Sequence, residues 1–421
     1  MLTAVVGINW GDEGKGRMVD LLSADYDIVC RYQGGNNAGH TVINDHGKIV
    51  LNLLPSGISR EGTVNVMGNG MVIDLEHLVH EIQSLREKGI HIGPDNLKIS
   101  DKAVICLPWH KMQDIMEEDR LKDKKFGSTR RGIGPVYADK YMKKAVRMGD
   151  LFAPDKLPEK VADLTEWKNL TVRGYGHEPV KAEDILAWLH EFGDPIKPYI
   201  TDVSDYLYDA AAAGENIMFE AQLGALRDIE FGIYPYTSSS CTLAGYAPIG
   251  AGIPGLKLDK TIGIMKAYSS CVGEGPFTVE MFGDEAEALR RAGGEYGAAT
   301  GRPRRVGAFD VPASRYGVRM HGADCVALTK LDVLSYMDKI PVCVAYDING
   351  EITEKFPVGE RLNAAKPVFE YMDGFGDISG CRKPEDLPKA AMDYIRYLEA
   401  AVGCKIKYVS VGAGRDEYVE L

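Results

Sequence analysis

The chain has 421 residues, 45% of them hydrophobic, enough apolar content for a large core. A formal net charge of −12 argues against nucleic acid as the main partner, so any polyanion site has to be a local positive pocket. Eight scattered cysteines without a CxxC pair fit free thiols in a reducing compartment. There is no basic start of a signal peptide and no apolar run of about 18 residues, so a cytoplasmic chain outside the membrane is expected.

Residues 3–7 read as a strand that enters a glycine-dense turn, Trp10-Gly-Asp-Glu-Gly-Lys-Gly16. Residues 17–22 leave it with helical apolar spacing. That order puts backbone N–H groups and Lys15 at a helix N-terminus, where phosphates bind. The turn departs from the common P-loop, because Gly16 follows the lysine where Ser or Thr is usual. Asp12 and Glu13 also lie inside it. A cradle for phosphate alone would avoid acids, so at least one is expected to hold a metal or move a proton.

Residues 26–32 predict a second strand, running into a second glycine turn, Gln33-Gly-Gly-Asn-Asn-Ala-Gly-His40. Strand-like runs follow at 48–54 and 63–67. Asp74 can cap a helix whose apolar face is Leu75, Leu78, Val79, Ile82 and Leu85, ending at Gly89. His77 and His80 share that helix without nearby acids or cysteines, and read as ordinary packing or surface residues. Residues 122–144 are basic and glycine-bearing, and 150–215 look mostly helical. Strands are predicted at 216–219 and 261–268, with a hydroxyl-rich loop, Tyr234-Pro-Tyr-Thr-Ser-Ser-Ser240, between them.

Residues 292–307 form a glycine-rich loop with three arginines, whose forks match carboxylates and phosphates. A buried-type strand at 324–329 ends in Thr329-Lys-Leu-Asp332. A Thr-Lys-x-Asp at a strand end suits guanine: the aspartate accepts from N1–H and the exocyclic amine, and the lysine stem covers the ring. A helix within 384–402 and a strand at 405–411 close the chain. Strands alternating with helices predict an α/β fold, with a mainly parallel central sheet flanked by helices and ligands at the C-terminal strand ends. No linker divides residues 1–421, so one domain with loop insertions is expected.

These runs, together with Leu54-Pro-Ser-Gly-Ile58, Gly68-Asn-Gly70, Gly132-Ile-Gly-Pro135, Val272-Gly-Glu-Gly-Pro-Phe277 and Thr300-Gly-Arg302, make the chain resemble the adenylosuccinate synthetase (IMP–aspartate ligase) family from end to end. The resemblance implies a P-loop-NTPase-like sheet, a cytoplasmic homodimer, and the substrates GTP, IMP and L-aspartate with Mg²⁺. It implies Asp12, Lys15 and His40 as catalytic residues, and Asp12 with the Gly39 carbonyl as metal ligands. Asp12 would take the N1 proton of IMP, so that O6 attacks the γ-phosphate and gives a 6-phosphoryl intermediate, which the amine of aspartate displaces.

For GTP the implied contacts are Gly11, Glu13, Gly14, Gly16, Arg17, Thr41, Arg304, Lys330, Asp332, Ser410 and Gly412. For IMP they are Asn37, Ala38, Thr129, Lys143 (reaching into the other subunit's site), Gln222, Ser238 and Arg302. For aspartate they are Ala298, Ala299, Thr300, Gly301, Arg302 and Arg304.

Several positions depart from the family's pattern. Glu220-Ala-Gln-Leu-Gly224 stands where Glu-Gly-Ala-Gln-Gly is usual, so either Gln222 or Leu223 faces the base. Lys143 replaces an arginine, Arg130 a glycine and Asn36 a frequent histidine, while Pro303 stiffens the aspartate loop. The departures gather around the acceptor nucleotide. A sister ligase acting on a guanylate, or a non-catalytic guanine-nucleotide-binding protein, therefore stands beside the leading expectation.

Overall fold

A computed structural model of the protein describes residues 1–44, 46–296, 301 and 303–421. Its centre is a ten-stranded sheet whose strands, numbered in chain order, are β1 (Leu2–Gly7), β2 (Ile28–Arg31), β3 (Val64–Met67), β4 (Leu97–Ser100), β5 (Ile200–Thr201), β6 (Ile217–Glu220), β7 (Lys260–Lys266), β8 (Cys325–Thr329), β9 (Ile406–Ser410) and β10 (Tyr418–Glu420). They lie in the order β10-β9-β8-β7-β1-β6-β2-β3-β4-β5. Every pairing is parallel except β9 with β10. Residues of β1, β2, β6 and β8 are buried without alternation, as expected of strands covered on both faces.

β1 lies between two strands that come much later in the chain, with Leu2 opposite Ile217 and Thr3 opposite Lys260. The loops after β1, β2, β6, β8 and β9 therefore leave at one edge, where a parallel sheet gathers its ligands. Helix α1 (Lys15–Leu22) follows β1 directly. Helix α2 (Leu75–Glu87) starts where expected, with the Asp74 carboxylate accepting the His77 N–H at 3.3 Å. α3 (Pro108–Leu121) and α4 (Ile133–Tyr141) flank the far side of the site.

Two features depart from the expected elements. The strand expected at 48–54 is one arm of a hairpin, Gly47–Leu51 against His40–Asn44, outside the central sheet. A further sheet, Lys339–Ile348 with Phe309–Asp310, Glu351–Thr353 and Ala365–Asp373, has no counterpart in the sequence expectations. Most of Ala365–Asp373 is at least partly exposed, so it lacks the apolar run that marks a core strand. All eight cysteines are free, seven of them buried. No helix among the described residues is long and apolar enough to cross a membrane.

One buried histidine ties a helix end to the sheet beneath the phosphate turn. His321 ends the helix Val311–His321; its Nε2–H donates to the Gly7 carbonyl at 2.9 Å, and its Nδ1 accepts the Ala244 N–H at 3.2 Å. Both nitrogens are satisfied only in the neutral form, and burial pushes the group down to about 4. The unfolded chain then binds a proton that the folded chain does not. Stability is therefore fully present above about pH 6.5 and is lost as pH falls toward about 4, by about 3 kcal/mol from this group. Urea midpoints across that window should fall with pH, and His321→Gln should flatten the slope; an unchanged slope would refute the assignment.

Candidate active site

The phosphate turn separates its two acids. Glu13 folds inward: Oε1 accepts the N–H groups of Asn9 (3.0 Å) and Gly11 (2.7 Å), and Oε2 meets the Lys15 ammonium at 2.6 Å. Both side chains are 2% exposed, so each needs the other's charge. Asp12 instead faces outward into a cavity, at φ +59 and 33% exposed, with Oδ2 3.6 Å from Arg304 Nε. At that separation the contact is a charge interaction, not a hydrogen bond. Gly14 precedes the helix at φ +92, and the Thr329 hydroxyl at the end of β8 donates to the Glu13 carbonyl at 2.6 Å. A Cβ on Gly16 would lie 2.6 Å from the His40 Cβ. The missing Ser or Thr is therefore what lets the second glycine turn pack against α1.

In that second turn His40 is buried, with Nδ1 hydrogen-bonded to Glu220 Oε1 at the end of β6. Glu220 also accepts the Ser56 N–H at 2.7 Å and the Ser56 hydroxyl at 2.6 Å. Burial pushes the Glu220 carboxyl up, but His40, Arg31 and Ser56 outweigh it and hold the group below its ordinary value. Burial lowers His40, with Glu220 acting against it. A neutral imidazole donating Nδ1–H to a carboxylate satisfies both directions and turns Nε2 toward chemistry. Asn36 faces away from the cavity and donates to Asp74 Oδ2 at 2.8 Å, tying the turn to the cap of α2.

The cavity, about 620 Å³, has Trp10, Asp12, Asn37, Ala38 and Gly39 on the side of the two turns. Thr129, Ser238, Arg227 and Leu223, which lies against Gly11 of the phosphate turn, also line it. Gln222 does not reach it, contrary to the expected acceptor contact. Its Nε2 donates to the Gly35 carbonyl and its own carbonyl accepts from Gln33 Nε2, each at 2.8 Å. The side chain is fully buried behind the turn, while Leu223, at φ +60, presents an apolar face on the wall. Strand β6 ends at Glu220, and the left-handed bend at Leu223 turns the chain so that Gln222 stays against the second glycine turn while Leu223 comes to the wall.

The far end holds the residues expected to read the base. Asp332 Oδ1 is buried without a hydrogen-bond partner, and burial raises the carboxyl above its ordinary value. Lys330 Nζ donates to the Gly293 carbonyl (2.7 Å) and to Glu295 (2.8 Å). Arg17 grips the neighbouring loop, donating to Ser410 Oγ and to the carbonyls of Gly414 (2.6 Å) and Glu417 (2.9 Å). The Ser410 hydroxyl donates to the Gly412 carbonyl at 3.0 Å. The first glycine turn, the cavity and the Lys330–Asp332 strand end thus lie along one edge of the sheet.

A family profile described as adenylosuccinate synthetase matches residues 4–419. The adenylosuccinate synthetase of Caldanaerobacter subterraneus is 43% identical over 100% of this chain and 99% of its own, and that of Streptococcus gordonii is 42% identical over 98% and 96%. This chain belongs to the adenylosuccinate synthetase family. Its fold matches a fully ligated adenylosuccinate synthetase from Plasmodium falciparum at TM-score 0.92 and 35% identity, over 100% of this chain and 99% of that one. A cyanophage succinoaminodeoxyadenylate synthetase, with dGMP and dATP bound, matches at TM-score 0.61 and 18% identity over 100% and 95%, which is a likeness of fold. As an adenylosuccinate synthetase family member the chain is an enzyme, a GTP-dependent carbon–nitrogen ligase of purine biosynthesis.

Of the residues that the family resemblance implies, Asp12, Asn37, Ala38, Gly39, Thr129 and Ser238 line one cavity. Gly11, Glu13, Gly14, Lys15, Gly16 and His40 lie in or against the turn that carries Asp12. Three others lie elsewhere. Arg17 is engaged with the base loop, Thr41 is exposed in the hairpin opposite Val50, and Lys143 is exposed just past α4, outside this chain's cavity. Arg130 takes the left-handed conformation at φ +57 that its glycine position calls for, and pairs with Asp119 on α3 at 2.8 Å. Ala298, Ala299, Thr300 and Arg302 lie outside the described residues, and Gly301 is exposed at φ +63. Sequence reasoning passed over Glu220, Glu295 and Arg227. Glu220 had a signal, an acid ending a strand before a glycine-bearing turn; Arg227, whose guanidinium donates to the Val272 carbonyl at 2.6 Å, had none.

Proposed function

We propose that the enzyme joins L-aspartate to IMP at the expense of GTP, giving adenylosuccinate, GDP and phosphate, the committed step from IMP toward AMP. The observation that carries this reading is the position of Asp12, a carboxylate of the phosphate turn that opens into the acceptor cavity. From there it can take the N1 proton of the purine while O6 attacks the γ-phosphate; GDP leaves, and the aspartate amine then displaces phosphate from C6. Lys15 stabilises charge on the transferring group, and His40 Nε2 serves the leaving GDP as acid or electrostatic partner. Lys330 and Asp332 read guanine, and Arg304 with the 298–302 segment takes the carboxylates of aspartate.

Mg²⁺ suits the donors present, since the Asp12 carboxylate and the Gly39 carbonyl are hard oxygens of two residues that line one cavity. Bound there with substrate phosphates, it would supply charge neutralisation at the transferring group. The rest of the reading places residues 1–421 in one catalytic domain of a cytoplasmic homodimer, with Lys143 reaching the other subunit's acceptor phosphate. Neither a nucleic acid nor a membrane partner belongs to it, in keeping with the acidic charge.

A second reading keeps the chemistry and changes the acceptor. It draws on Leu223, which lines the cavity and occupies the position where the family's usual pattern has a glutamine. Purified protein with GTP, Mg²⁺ and aspartate, offered IMP, GMP or dGMP in turn, separates the two. A succinyl-purine formed from IMP alone supports the first. Turnover with a guanylate alone sinks it in favour of the second, and no ligation with any acceptor overturns both.

A further inference from the structure

Glu295 stands at the root of the arginine loop and is fully buried, yet it carries a charge that the chemistry above leaves unused. Its carboxylate collects Lys266 Nζ (2.8 Å), Lys330 Nζ (2.8 Å), Arg304 Nη1 (2.9 Å) and the Tyr268 hydroxyl (2.5 Å). Its backbone carbonyl also accepts the Arg304 N–H at 3.0 Å. Burial opposes ionisation, but Lys266, Lys330 and Arg304 together keep the carboxyl well below its ordinary range. Burial in turn pushes Lys266 down to about 8, with Glu295 acting against it. The cluster therefore holds three cations against Glu295 and, through Arg304, Asp12.

We propose that Glu295 is a positioning residue that couples the base end to the phosphate end, because one buried carboxylate anchors both Lys330 and the arginine poised over Asp12. This rests on the reading of Lys330 and Arg304 as GTP-side residues given above. Glu295 itself is fully buried, so its pull on Arg304 (18% exposed) and Lys330 (32% exposed) is screened less than between surface charges. When Lys330 shifts to lie along a guanine ring, or is removed, the carboxylate is left to Lys266 and Arg304. Arg304 is then drawn toward Glu295 and off Asp12. Recognition at one end is felt at the other through a single side chain, without movement of the sheet.

A double-mutant cycle on GTP binding tests this, using Lys330→Met, Arg304→Leu and the double variant in the wild-type and Glu295→Gln backgrounds. With Glu295 present, the two losses of affinity should fail to multiply by about fivefold or more; with glutamine there they should multiply. Losses that multiply within about twofold in the wild-type background would overturn the proposal. If Glu295→Gln does not fold, Glu295→Asp replaces it: the shorter reach should weaken the coupling, and a coupling equal to wild type overturns the proposal. Wild-type protein that binds ATP as tightly as GTP would sink the guanine reading instead, and the cycle run with ATP would still decide the coupling. Binding of neither nucleotide overturns both.

Discussion

Asp12→Asn is expected to lower ligation by about 10²–10⁴-fold while GTP binding persists, the range for losing a positioned general base. The substitution suits the position. Asp12 sits in the left-handed region at φ +59, which asparagine tolerates about as well as aspartate, so the turn keeps its shape. The contacts that shape the turn belong to Glu13, whose carboxylate holds two backbone N–H groups and Lys15. What the variant removes is the negative charge beside Arg304 at the mouth of the acceptor cavity. Steady-state ligation read by formation of the succinyl-purine, with GTP affinity measured separately, checks this. Turnover within about tenfold of wild type would mean that the purine proton goes to another group.

Asp332→Asn should cost the preference for GTP over ATP about 100-fold, since charge-assisted hydrogen bonds contribute about 1.5–3 kcal/mol each. The buried, unpartnered Oδ1 is the reason to expect so large an effect. An acceptor already stripped of water and left unpaired gains most from a ligand that supplies the missing donors. Guanine offers two on one edge; adenine has no such pair. The amide of the variant should also raise the affinity for xanthosine triphosphate, whose C2 carbonyl can accept from it. Competition binding with the three triphosphates reads both effects, and unchanged selectivity against ATP would remove Asp332 from the base site.

The strands before the two glycine turns, the helix capped by Asp74 and the Thr-Lys-x-Asp strand end were all readable because each is a local pattern. An apolar run, a cap or a positive-φ glycine acts through residues adjacent in the chain. The sheet around Lys339–Ile348 escaped because its long partner, Ala365–Asp373, is at least partly exposed throughout, and β5 because it has only two residues. The ambiguity at Gln222 and Leu223 had another origin. Which of the two side chains reaches the cavity depends on the left-handed bend at Leu223 and on the distant turn that receives Gln222, neither of which the local pattern encodes.

By itself the sequence determined the parts: a glycine turn carrying acids, a Thr-Lys-x-Asp strand end and an α/β sheet to hold them. Which acid does which task was decided by tertiary structure. Glu13 is claimed by the N–H groups of its own turn, leaving Asp12 for the cavity. His40 finds its carboxylate 180 residues away, and Glu295 meets Lys330 across 35. Those pairings follow from β6 lying beside β2 and β8 beside β7. The order of strands in a sheet is set by packing among distant segments, and no contiguous stretch of this chain encodes it.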